Sequence, residues 1–126
     1  MNKKIGLLLV TVSCGAFADW VEFDRQRDRT AYYDPSTLRK AGDNVKMWTL
    51  YDHVTGNIFN GRQYMSTKVQ VEYGCRSEKV RLLYSSIHSG SLGGGETLLT
   101  NSTPSNWEPF GPGEIYEVLW KLACKR

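Results

Sequence analysis

Polar and apolar side chains alternate along the middle of the chain. Between residues 66 and 73 every second residue is apolar, β-branched or aromatic, and the residues between them are mostly polar. A period of two is typical of a β-strand with one buried face and one face toward solvent. The alternation returns between residues 79 and 85, and the short link at 75–78 predicts that the two strands form a hairpin.

Further strands are predicted on both sides of this hairpin. Aromatic and β-branched residues are enriched at 20–24, 30–33 and 45–51, and a strand such as 96–99 follows later. The segments Asp34-Pro35-Ser36-Thr37 and Gly42-Asp43-Asn44 predict turns. Residues 54–63, rich in glycine and asparagine, are predicted to be a longer connection.

One helix is predicted near the end of the chain. Proline and acidic residues are favoured near the first turn of a helix, and Pro112 and Glu114 are followed by apolar residues at helical spacing. The apolar positions are Ile115, Val118, Leu119, Leu122 and Ala123, with a second stripe of Tyr116, Trp120 and Cys124. Such a wide apolar surface needs a broad partner, and the sheet is the one available. The predicted fold class is therefore α+β, an antiparallel sheet of about five or six strands with a C-terminal helix packed across one face.

The N-terminus has the pattern of an export signal. Lys3 and Lys4 precede a short apolar run, and Ala16-Phe17-Ala18 then offers the small residues that a signal peptidase requires. We predict that residues 1–18 are a signal peptide, cleaved between Ala18 and Asp19. The alternative is lipoprotein processing at Cys14, although Thr11 stands where an aliphatic residue is usual.

Cleavage after Ala18 would leave a nearly neutral chain, residues 19–126, of a length suited to one domain. The whole sequence has 16 basic and 13 acidic residues, so loss of Lys3 and Lys4 lowers the net charge from +3 to +1. A neutral chain has no general attraction for nucleic acid, and no later segment is apolar enough to predict a stable membrane span. The expected product is exported, to the periplasm or the outer cell surface.

Cleavage would also change the cysteine count. Of three cysteines, Cys14 is lost with the signal, which leaves Cys75 and Cys124. An even count in an oxidising compartment predicts one disulfide, worth roughly 4 kcal/mol through loop closure. Metal binding is the weaker use of the pair, since the chain has no C-x-x-C motif and neither His53 nor His88 lies at ligand spacing from a thiol.

Catalysis has little support in the sequence. Both histidines fall in predicted loops, where an exposed side chain is the default interpretation, and abundant serines make any predicted triad uninformative. The glycines at 90–95 lack the Gly-Lys-Ser or Gly-Lys-Thr ending of a phosphate loop and suit a flexible hairpin tip better. We therefore expect no enzyme, no cofactor and no metal.

Binding has more support than chemistry. The chain has seven tyrosines and four tryptophans, more than a small core can hide, so part of this aromatic surface is expected to be exposed. The loops at 25–29 and 54–63 and the exposed sheet face are the candidate contact surfaces. The individual ligand-contacting residues are not predicted.

The order of aromatic residues around the two cysteines resembles the surface-adhesin protein E family. The resemblance covers nearly the whole chain after the signal. The residues that carry it are Trp20, Tyr32-Tyr33-Asp34-Pro35, Val45-Lys46-Met47-Trp48, the stretch from Ser66 through Val71-Glu72-Tyr73-Gly74 to Cys75, Trp107, Pro112, Trp120 and Cys124.

This resemblance implies an antiparallel sheet with a C-terminal helix held to its concave face by a disulfide, in a protein of the Gram-negative envelope. It also implies a protein partner, either a host matrix or serum protein or a bacterial envelope protein, and self-association as a homodimer. A periplasmic accessory protein without adhesin activity is the alternative.

Overall fold

Antiparallel strands and a C-terminal helix make up residues 18–125, which the structure, a computed structural model, describes. The strands are β1 Val21–Arg25, β2 Arg29–Ala41, β3 Asn44–Phe59, β4 Arg62–Gly74, β5 Lys79–His88, β6 Thr97–Asn101 and β7 Glu108–Pro109, and the helix is α1 Ile115–Cys124. Strands β1 to β6 lie in sequence order in one sheet, and β7 pairs with β5. This architecture confirms the predicted fold class. The signal peptide prediction lies outside the described residues, except for Ala18.

The pairing of β3 with β4 shows which residues share each face of the sheet. Val45 pairs with Tyr73 and Met47 with Val71, and all four side chains are buried on the side that faces α1. Leu119 of α1 is completely buried and completes this core. We call this side the helix face. The strand periodicity seen in the sequence therefore assigns these buried positions correctly.

Helix α1 is held at its C-terminal end by two contacts to the β4–β5 turn. Cys75 and Cys124 form the predicted disulfide, with 5.5 Å between their Cα atoms. The indole Nε1 of Trp120 donates a hydrogen bond of 2.9 Å to the carbonyl of Gly74. Val118, however, is 42% exposed, so the buried surface of α1 is narrower than its sequence predicts.

The predicted turn at residues 34–37 is wrong, because β2 continues through it with an irregularity in its pairing to β3. Pro35 lacks an N–H for the ladder, and neighbouring side chains replace the missing hydrogen bonds. The buried carboxylate of Asp34 accepts from the backbone N–H of Ser36 at 3.0 Å, and the Thr37 hydroxyl accepts from that of Trp48, also at 3.0 Å. Side-chain hydrogen bonding thus lets the strand pass a proline.

The prediction of residues 54–63 as a long connection is wrong in part, because residues 57–59 and 62–63 pair within the β3–β4 ladder. After an irregularity between Asp52 and Asn57, the β3–β4 ladder resumes and runs to the pair of Phe59 and Arg62. The actual turn is Asn60-Gly61, with φ angles of 49° and 76°. A two-residue type I′ hairpin turn requires a positive φ at both of its central residues, and Asn-Gly is the usual sequence for it.

The glycine segment between β5 and β6 folds back onto the sheet. The Ser66 hydroxyl donates to the carbonyl of Gly90 at 2.7 Å and accepts from the backbone N–H of Gly93 at 2.8 Å. Gly93 has a φ of 78°, and a Cβ there would press on Lys68. The segment connects β5 to β6 as a hairpin tip, as predicted, and it packs against the face opposite α1.

Candidate binding surface

Three connections meet at one end of the sheet, because alternate turns of an antiparallel meander share an end. We call this the loop end and define it as residues 26–28, 54–63 and 89–96. The backbone N–H of Val54 donates to the carbonyl of Asp28 at 3.0 Å, which joins the first two connections. Arg62 and Glu96 form an ion pair of 2.8 Å, which joins the second and third. Both loops that the sequence proposed as contact surfaces thus belong to one continuous surface.

The loop end exposes apolar side chains. Ile58 is 68% exposed, Val54 54% and Leu92 49%. These are three of the six large hydrophobic residues that are exposed within residues 18–125. A cluster of exposed apolar residues with a polar rim marks a protein interaction site more often than scattered single residues do.

Backbone pairing holds these apolar residues in place. Ile58 pairs with Gln63 beside the β3–β4 turn, and the backbone N–H of Val54 is bound to the carbonyl of Asp28. The backbone N–H of Leu92 donates to the Asp52 carboxylate at 2.9 Å. A surface that is already ordered loses little conformational entropy when a partner binds. The loop end is therefore suited to rigid docking.

Charges of both signs surround the loop end. Arg25 forms an exposed ion pair of 2.7 Å with Glu22, and this hydrogen bond lowers the pKa of the Glu22 carboxyl. The Arg62 guanidinium lowers the pKa of Glu96 in the same way. Exposed pairs of this kind contribute little to stability. They remain available to a partner as a polar rim.

The sheet face opposite α1 carries aromatic and basic side chains. Trp48, Gln70 and Tyr84 share one row across β3, β4 and β5, and the rings of Trp48 and Tyr84 meet edge-on at 5.4 Å. The Lys68 ammonium lies 5.2 Å from the Trp48 ring. We call this side the aromatic face. Its half-buried rings agree with the sequence-based expectation of partly exposed aromatic surface.

A second pair on the aromatic face repeats this combination of charge and ring. The Arg81 guanidinium lies 4.9 Å from the ring of Trp107 and forms an ion pair of 2.8 Å with Glu72. Cations placed over aromatic rings add roughly 0.5 to 2 kcal/mol each. These contacts fix the orientation of rings and charges that a partner would meet.

The predicted positions of both histidines are wrong, since His53 lies in β3 and His88 ends β5. His88 is buried, with Nε2 at 2.7 Å from the Ser86 hydroxyl and Nδ1 at 3.3 Å from the Thr97 hydroxyl. Burial lowers its pKa, and the nearby Lys68 lowers it further. A hydrolase triad would place a carboxylate at the second nitrogen, so this arrangement differs from one.

Two kinds of feature are absent from residues 18–125. No group of three or more histidine, cysteine, aspartate or glutamate side chains there is arranged to hold a metal ion. In the same part of the chain, no helix has the length and apolar character needed to cross a membrane.

The fold and its exposed surface define a class of protein: a disulfide-linked antiparallel sheet, covered by a helix on one face, with ordered apolar and aromatic residues at its surface. The chain belongs to the surface-adhesin protein E family, whose model matches residues 20–125. No curated protein matches it in sequence.

Solved structures of protein E from Haemophilus influenzae share this fold. Crystal form II superposes with a TM-score of 0.65 at 11% identity, and the match covers 82% of this chain and 95% of that one. A second structure gives 0.64 at 9% identity, with 83% of each chain covered. Protein E from non-typeable H. influenzae gives 0.62 at 10% identity, covering 86% and 85%. Identities this low establish the common fold alone.

Proposed function

We propose that this chain is an exported, non-enzymatic binding protein of the Gram-negative envelope that docks a protein partner through its loop end. The family description, surface-adhesin protein E, supports adhesion. The partner we propose is a host extracellular-matrix or serum protein. The exposure of Val54, Ile58 and Leu92, each on backbone held by hydrogen bonds, carries the proposal. The aromatic face extends the contact surface, since aromatic residues and arginine are enriched in interfaces.

A charge at the most exposed apolar position tests this proposal. We expect Ile58→Lys to weaken binding to the protein partner by tenfold or more, because the interface would then have to desolvate an unpaired ammonium. The measurement is surface plasmon resonance against a panel of purified matrix and serum proteins.

The matched control is Val118→Lys, which places the same charge on the outer side of α1. Val118 is 42% exposed and lies away from the loop end, so this variant should bind like the unmodified chain. Equal affinity of all three proteins would show that the loop end is not the binding site.

The second candidate is a periplasmic accessory protein that binds an envelope protein of the same bacterium. It uses the same loop end and differs in the compartment where the partner is found. Protease treatment of intact cells separates the two candidates, because only a surface-displayed chain is degraded before the outer membrane is opened. Self-association as a homodimer is a further proposal, and sedimentation velocity at several concentrations tests it directly.

We also propose that residues 1–18 are removed as a signal peptide, leaving one domain from Asp19 onward, rather than lipidated at Cys14. One contact supports this cleavage position. The backbone nitrogen of Asp19 lies 3.1 Å from Oδ2 of Asp34, whose carboxylate is buried. Cleavage before Asp19 would turn that neutral amide into an ammonium group, which binds a carboxylate more strongly.

Exact processing at Asp19 should therefore stabilise the fold. We expect the chain that begins with a free Asp19 amino group to be more stable by about 1 kcal/mol than the same chain acetylated at that nitrogen. Urea denaturation at pH 6.5 measures the difference, and Asp34→Asn should abolish it. Equal stability of the free and acetylated chains would remove this support for the cleavage site.

A further inference from the structure

A pocket of about 340 Å³ opens between the first turn of α1 and the helix face of the sheet. Arg29, Tyr51, His53, Thr67, Val69, Ile115 and Tyr116 line it. Its volume lies at the lower end of the range for small-ligand sites. The lining of the pocket does not include the exposed apolar residues of the loop end. It is therefore a second site, distinct from the proposed protein-docking surface.

Arg29 supplies a positive charge that its neighbours neutralise only in part. Its Nε is buried and has no hydrogen-bond partner among the described residues. Its guanidinium lies 5.4 Å from the ring centre of Tyr51, and Nη2 is 3.9 Å from the carboxylate of Asp24, at the outer limit of an ion pair. A buried donor without a partner is uncommon in folded proteins and calls for an explanation.

The other groups in the pocket favour an anion with an apolar body. No aspartate or glutamate is among its lining residues, whereas Val69, Ile115 and the rings of Tyr51 and Tyr116 provide apolar walls. The His53 Nε2 lies 2.9 Å from the Thr67 hydroxyl. Burial lowers the pKa of His53, which keeps the ring neutral at pH 7. Arg29 is thus the one fixed charge lining the pocket.

We propose that this pocket binds a carboxylate attached to a compact apolar group, with the Arg29 guanidinium holding the carboxylate. The planar fork of arginine matches the two oxygens of a carboxylate, which a lysine ammonium cannot do. Two sources have this chemistry: a free aromatic or branched aliphatic acid, and the C-terminal carboxylate of a peptide that ends in an apolar residue. An amine of the same shape would place its charge against Arg29 and is excluded.

Phenylacetate is the probe for the first source. Its binding is monitored by NMR, through the amide chemical shifts of the disulfide-bonded protein. We expect saturable shifts centred on Tyr51, His53, Thr67 and Tyr116, with a Kd of about 1 mM. Phenethylamine and 2-phenylethanol, which lack the carboxylate, should produce none of them. For the second source, a tetrapeptide ending in free phenylalanine is compared with its C-terminal amide. Whichever acid binds more tightly identifies the source.

Variants of Arg29 separate a binding role from a structural one. Arg29→Gln should weaken phenylacetate binding by tenfold or more, and Arg29→Lys should weaken it less, because charge is retained and the fork is lost. Arg62→Gln, at an exposed arginine outside the pocket, is the control and should change nothing. Ile115→Trp fills the pocket from α1 without touching Arg29 and should also abolish binding, which keeps the test valid if Arg29→Gln unfolds.

Equal shifts from phenylacetate and 2-phenylethanol, or unchanged affinity in both Arg29→Gln and Ile115→Trp, would overturn the proposal. The outcome is independent of the adhesin test. Ile58→Lys should bind phenylacetate normally, and Ile115→Trp, which changes α1 outside the loop end, should bind the protein partner normally.

Discussion

Replacing both Cys75 and Cys124 with alanine should lower the thermal unfolding midpoint by about 15 to 20 °C. The disulfide joins residues 49 positions apart, and closing a loop of that length removes about 4 kcal/mol of chain entropy from the unfolded state. The bond also joins the last residue of α1 to the β4–β5 turn, so its loss releases the helix end that covers the core. Differential scanning calorimetry on the chain that begins at Asp19 measures the shift.

Reduction provides the internal control for this experiment. Dithiothreitol should lower the midpoint of the unmodified chain to that of the double alanine variant, and it should leave the variant unchanged. Trp120 provides a second readout, because its indole donates to the carbonyl of Gly74 beside Cys75 and its fluorescence should respond when the helix end is released. A midpoint shift below about 5 °C would show that packing alone holds α1.

The strands with strict alternation were predictable because alternation reflects burial directly. Residues 66–73 fall within β4, and the predicted hairpin link at 75–78 is the observed turn between β4 and β5. The wide apolar surface of α1 predicted its place on the sheet. These predictions depend only on which side chains must leave water.

The errors occur where hydrogen bonds, rather than burial, determine the path of the chain. Asp34 and Thr37 use their side chains to carry β2 past Pro35, and no hydrophobic pattern reports this. The Asn60-Gly61 pair did signal a hairpin turn, but other glycine and asparagine residues around it hid the strand pairing. Serines and glycines surround His88 in the sequence and favour a loop, although β5 extends to His88 and the residue is buried.

The candidate surface was predictable only in outline. Residues 25–29 and 54–63 were recognisable from composition as candidate contact segments, but their contact through Val54 and Asp28 depends on strand order, which the sequence does not state. The pocket beside Arg29 was not predicted at all. Its residues come from β2, β3, β4 and α1 and are adjacent only after the helix crosses the sheet. The one signal of this pocket in the sequence was Arg29, a charged residue at the start of β2, a strand whose side facing α1 is otherwise apolar.

Leu119→Ala should lower the free energy of unfolding by about 3 to 5 kcal/mol. The Leu119 side chain is completely buried and belongs to the same cluster as Met47, Val71 and Tyr73, so its truncation leaves a cavity in the centre of the core. The neighbouring residues lie on paired strands and cannot easily move to fill that space, which places the cost toward the upper part of the usual range. Urea denaturation, monitored by tryptophan fluorescence, measures this loss of unfolding free energy. The urea concentration at the midpoint should fall while the m-value stays unchanged.

Val118→Ala is the matched control, because it shortens the adjacent residue of the same helix on its exposed side. Val118 is 42% exposed, so this change should alter stability by no more than about 0.5 kcal/mol. Leu122→Ala should fall between the two, since Leu122 is only partly buried. This order ranks the three positions by their burial against the sheet, whereas helix propensity alone would make all three changes slightly stabilising, most of all Val118→Ala. A small effect at Leu119, or equal losses at Leu119 and Val118, would contradict the packing of α1 across the helix face.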